Sequence, residues 1–197
     1  MSEYFSTNII NESVSSLDLA RENLLIVEDD VYRWKWIVIA LHNALQNTMV
    51  SALKQGNGFH SMTNDSFKKW MEAYRGNKPL PPTKLANFLD LYKRIKKKHI
   101  MECYVHRKRF VAKQEHTESI KKLNSIRNGF IHFSLDVWSL EIAGMPELCL
   151  HCMDVIRFLV FESRNVVFYK EGENKIMRSA IIEVMNILRD FDATKNS

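Results

Sequence analysis

Arg127 and His132, five residues apart in the run Arg127-Asn128-Gly129-Phe130-Ile131-His132, are the side chains of this chain best suited to chemistry. A guanidinium presents a rigid fork of donors that can grip a phosphate at two points. An imidazole gains or loses a proton near neutral pH and can serve as a general acid or base. These are two of the groups needed to break an RNA backbone without a metal ion.

Spacing alone does not single the pair out, because Arg94 and His99 share it. With 11 Arg and 7 His in 197 residues, chance supplies roughly 0.4 such pairs. Context decides. Ile120, Leu123 and Ile126 recur at helical spacing up to Arg127, and Gly129 then permits the helix to tighten or end. Arg94 stands in a lysine run, which predicts solvated surface charge for Arg94 and His99. At about 100° per residue, positions five apart on a regular helix point about 140° from each other. Either the chain leaves the helix between Arg127 and His132, or a second copy of the motif completes the site.

The elements that would position the pair are helices. Glu28-Asp29-Asp30 supplies the negative charge favoured in a first turn, and the segment from Val31 to about Lys54 carries Trp34, Ile37, Leu41, Leu45 and Met49 on one stripe. It is expected at the centre of a bundle, with His42 and Gln46 as polar exceptions. A shorter helix is expected near Asp65 to Tyr74. The loop Gly76 to Pro82 is unsuited to helix interior, and Thr83 is expected to begin a helix with Leu85, Phe88, Leu89, Tyr92 and Ile95 inward. The motif helix is expected from Glu115 or Thr117. Val137 to Ile142 reads as an extended segment or a packed loop, Pro146 as the first turn of the next helix, and a last helix follows Gly172. The predicted fold class is all-α, an up-and-down helical bundle of five or six helices. Residues 1–28 read as an N-terminal arm or short helix, 29–165 as the bundle, and 166–197 as a C-terminal helix packed on it.

An R-N-x-x-x-H motif ending an apolar helix in a small all-helical chain resembles the signature of the HEPN superfamily. The resemblance covers roughly residues 29–165, and the Pro-Pro loop, the basic helix and the Trp138 region are similar to small bacterial or mobile-element members. It implies a homodimer whose two motifs meet in one cleft, and a metal-independent RNA endonuclease without cofactor. In that scheme His132 takes the proton of a ribose 2′-hydroxyl, Arg127 holds the scissile phosphate, and Asn128 orients the phosphate or His132. The alternative is a catalytically inactive HEPN-like module that binds RNA, a nucleotide or a protein partner. A third reading, the toxin half of a toxin–antitoxin or defence pair with a cognate antitoxin protein as partner, is compatible with the first.

Charge is distributed unevenly in a way that suits RNA. Between Lys84 and Arg127, 13 Lys and Arg face four carboxylates, a net of +9, so the remaining residues carry −4 of the overall +5. Lys93, Lys96, Lys97 and Lys98, then Arg107, Lys108 and Arg109, form the densest part and are the candidate RNA-binding residues. Such a patch attracts polyanions by releasing counterions, and as a solvated helix face it would look the same. Three cysteines without framework spacing suit a reducing cytosol. Cys149-Leu150-His151-Cys152 lacks the further ligands a structural zinc needs, so no metal is expected and both thiols read as buried small hydrophobes. With no apolar run of about 18 residues and no leader-like N-terminus, a cytoplasmic protein without membrane contact is expected.

Overall fold

The apolar stripe of residues 31–54 becomes the central helix of the structure, a computed structural model that describes residues 3–132 and 139–195. This helix, α2 (Arg33–Leu53), buries Ile37, Leu41, Leu45 and Met49 completely. Four others pack on it: α1 (Ile9–Leu24), α4 (Phe88–Ile95), α6 (Gln114–Ile131) and α7 (Met145–Phe161). A final helix, α8 (Glu173–Lys195), closes the far side against α1 and α7. Two shorter segments, α3 (Asn64–Arg75) and the single turn α5 (Lys98–Met101), complete the set. The described regular structure is helical throughout, apart from one isolated bridge between Met62 and Leu85. No described helix is long and apolar enough to cross a membrane.

The fold is thus all-α, but with eight α-helices and one 3-10 turn (Phe59–Ser61) among the described residues rather than five or six helices. The polar N-terminal stretch accounts for part of the difference. Asn8 caps α1 by accepting from the backbone of Ile10 and Asn11, each at 2.9 Å. Ser13 and Ser16 turn their hydroxyls back onto the carbonyls of Ile9 and Glu12. Those bonds satisfy the polar groups locally, so Leu17, Ala20 and Leu24 can be fully buried. Asn43 Nδ2 donates to Ser16 Oγ at 2.8 Å and Arg21 pairs with Glu183 at 3.0 Å, tying α1 to both neighbours.

The helix expected from Thr83 begins at Phe88 instead. Asn87, in extended conformation, caps it by accepting from Asp90 N at 2.9 Å. Upstream, Lys84 O accepts from Thr63 N and Ala86 N donates to Ser61 O, so residues 84–86 run alongside 61–63 and Leu85 remains 45% exposed. The expectation that Arg94 is surface charge is also corrected. Its guanidinium reaches the carbonyls of His60 and Met62 and the side chain of Asn64, fastening that pairing to α4. Only tertiary approach could supply those acceptors.

Candidate functional site

Arg127, Asn128 and His132 all lie at the C-terminal end of α6, which buries Ile120, Leu123 and Ile126. The helix runs through Gly129 without interruption, and His132 is its C-cap, donating its backbone N–H to Asn128 O at 2.8 Å. The chain therefore does not leave the helix between the two residues. Arg127 is half-buried and His132 exposed, so within one copy they face different directions. Asn128 Oδ1 accepts from Arg127 Nη1 at 3.1 Å, so Asn128 steadies the guanidinium. Phe133 and Trp138 lie outside the described residues.

Behind Arg127 stands a pair that spans α2 and α6. His42 is 5% exposed, stacks on the Phe88 ring with centroids 3.9 Å apart, and places Nε2 3.2 Å from Asn124 Oδ1. Burial pushes the His42 pKa down to about 4; the Asn124 hydrogen bond acts against this and the nearby Arg127 guanidinium adds to it. At neutral pH the imidazole is uncharged, so its Nε2–H can donate to Asn124 Oδ1, which turns the Asn124 amide nitrogen away from His42. The sequence marked His42 as a polar exception on an apolar helix. It gave no sign of Asn124, 82 positions away and ordinary in type.

On the exposed side of α6, helical spacing aligns Lys121, Ser125, Asn128 and His132 within about 40° of one stripe. All four are exposed. Lys121 in turn lies close enough to Lys96 of α4 to lower the lysine pKa there, after burial as the larger cause and ahead of Lys93. Lys96 Nζ sits 4.3 Å from the centroid of the Tyr92 ring, Lys93 pairs with Asp90 at 3.0 Å, and Lys97 and Lys98 are exposed. Lysines of α4 and α6 thus form one cationic surface leading to the motif, with Lys121 an addition that sequence reading did not single out. Arg107, Lys108 and Arg109 are not part of it. Arg109 faces Glu102 at 3.7 Å, Lys108 is held through its backbone to Ser163, and Arg107 lines a cavity at the C-terminal end of α2. That end is a dozen residues, about 18 Å, along the helix from His42.

A second histidine group occupies the start of α6. His116 Nδ1 accepts from Lys113 N at 3.1 Å while Nε2 lies 3.7 Å from Asp154, and Ser119 Oγ is 3.0 Å from His151 Nδ1. Its role is structural, closing the first turn of the helix that carries the motif. Cys149 and Cys152 are fully buried, and burial pushes the Cys149 thiol up to about 12. No family model, curated protein or solved structure matches this chain.

Proposed function

We propose that this chain is a metal-independent endoribonuclease of HEPN type, acting as a homodimer. The observation that carries the reading is the end of α6, where His132 continues the exposed stripe of Lys121, itself close to Lys96, and Arg127 stands about 140° round the helix. An RNA strand held on that surface of one copy brings a phosphate to the Arg127 of the second copy. His132 removes the proton of the ribose 2′-hydroxyl, and the 2′ oxygen attacks the adjacent phosphorus. The bond to the 5′ oxygen breaks, and that oxygen takes a proton from the His132 of a second copy. The products are a 2′,3′-cyclic phosphate and a 5′-hydroxyl. Arg127, steadied by Asn128, stabilises the charge growing on the phosphate oxygens. His42 does not titrate near neutral pH. It holds Asn124 so that the amide nitrogen of Asn124 adds a neutral donor beside Arg127.

A continuous helix from Arg127 to Ile131 leaves about 140° between the two motif side chains. A second copy apposing its own α6 end supplies the missing approach, and light scattering at micromolar concentration should find a dimer. The same angle favours the second reading, a binding module that does not cleave. Incubation of single-stranded RNA with the protein in excess chelator distinguishes them. The nuclease reading expects fragments ending in cyclic phosphate, and no cleavage where 2′-hydroxyls are replaced by hydrogen. Cleavage of the deoxy strand sinks the mechanism, and salt-dependent binding without any cleavage leaves the binding module.

Charge reversal at Lys96, Lys97 and Lys98 tests the surface. Each phosphate contact contributes about 0.7 to the slope of log affinity against log salt for a single strand, so the triple variant is expected to flatten that slope by up to ~2. Circular dichroism should show the bundle intact, since none of the three makes a salt bridge among the described residues. An unchanged slope reduces these lysines to a solvated face.

A further inference from the structure

At the C-terminal end of α2, away from the motif, lies a cavity of about 130 Å³ whose only charged lining residues are two cations, Lys54 and Arg107. Among the described residues neither makes a salt bridge or side-chain hydrogen bond. Arg107 Nη1 is shielded from solvent and has no acceptor at all. A buried guanidinium donor without a partner is rare and costly, because its lost hydration is not replaced. Glu173, which bonds to the backbone of the lining residue Tyr169, is also engaged by Lys170 N and Asn8 and does not line the cavity.

The surroundings hold the arginine in place. Its guanidinium carbon lies 4.4 Å from the centroid of the Tyr104 ring, and the preceding residue, His106, adopts a left-handed φ of 65°. That turn sets the direction in which the chain enters Arg107. Gln55 Nε2 donates to Asn165 Oδ1 at 2.6 Å, and Asn165 Nδ2 donates to the carbonyls of Lys108 and Ser163, so the amides of the wall are engaged with each other and with backbone. Lys54 and Arg107 face no carboxylate there. The end of α2 explains Lys54, since a helix C-terminus favours positive charge. It does not explain Arg107, because the carbonyls of Val50 and Ser51 accept from Lys54 N and that of Ala52 from Gln55 Nε2.

We propose that this cavity binds the phosphate group of a small phosphomonoester. The volume corresponds to roughly four water molecules, room for a tetrahedral oxyanion but not for a nucleoside. The rest of the ligand would lie at the rim, where Tyr104 and Tyr169 are 59% and 82% exposed. The forked donors of Arg107 suit two phosphate oxygens, and Lys54 neutralises the second charge. This site is independent of any cleavage at α6.

Titration of the full chain with inorganic phosphate, ribose 5-phosphate and AMP, followed by calorimetry and by amide shifts, tests the proposal. One-to-one binding is expected, tighter for AMP than for inorganic phosphate if the rim takes part. Arg107→Gln should weaken it by at least roughly tenfold, and Arg107→Lys, which keeps the charge but not the fork, by an intermediate factor. Lys68→Glu, an exposed change on α3 outside the cavity and outside the cationic surface, should leave it unaltered. The proposal is overturned by absence of saturable binding of all three probes up to about 10 mM. Equal weakening by Lys68→Glu and Arg107→Gln, or retained affinity in a folded Arg107→Gln protein, overturns it as well.

Discussion

His132→Ala is expected to lower cleavage of single-stranded RNA by a factor of ~10²–10⁴, the usual worth of a positioned proton-transfer group, while leaving RNA affinity unchanged. His132 is exposed at the end of α6 and, among the described residues, makes only a backbone hydrogen bond, to Asn128, so removing its imidazole leaves the described packing and the cationic surface in place. Arg127→Ala should differ in kind. It removes a phosphate ligand, lowering affinity and rate together, and takes away the cation that Asn128 holds and that faces His42. Single-turnover rates alongside filter-binding affinities separate the two effects. Equal rates for wild type and His132→Ala remove His132 from the chemistry.

Acidification is expected to destabilise the bundle between about pH 6.5 and pH 4. In the folded chain burial lowers the His42 pKa to about 4, below its ordinary 6.5, so between those values the unfolded chain binds the extra proton and the native one does not. Stability is therefore fully present above the unfolded value and declines as pH falls through the window, by about 3 kcal/mol in all for His42. His60 and His116 are shifted the same way, each first by burial, and add to the slope. Protonating His116 would also cost the acceptor that Nδ1 offers to Lys113 N. Urea titrations from pH 7.5 to 4.5 measure the effect. His42→Gln, which keeps a donor for Asn124 without a titrating ring, should remove the largest share of the slope. An identical slope in that variant would show that His42 is not the group responsible.

The helices that bury a continuous stripe were legible in the sequence: α2 from Trp34 to Met49, α7 from Pro146, and α8 after Gly172. Their apolar periodicity is a property of single segments. Helix α1 was harder to read because its serines look like loop residues until their hydroxyls are seen bonded four residues back. The start of α4 was misplaced because Thr83 and Asn87 are both plausible caps, and the choice was made by a backbone pairing with residues 61–63. The motif was visible as a spacing, but its setting was not. Asn124 joins His42 across 82 residues, Lys121 joins Lys96 across two helices, and Arg107 separates from the lysines it follows in sequence. All three depend on which helix faces which, and local patterns are silent on that.

Helix α1 is made well before α8, one of the helices it packs on. Translation at about 5–20 residues per second places roughly ten to thirty seconds between the emergence of Leu24 and that of Leu188. Throughout that interval α1 can dock on α2 but keeps its α8-facing side uncovered. Nascent chains are thus open to aggregation and to chaperone capture until α8 emerges, and stopping synthesis ahead of Glu173 would leave that side bare.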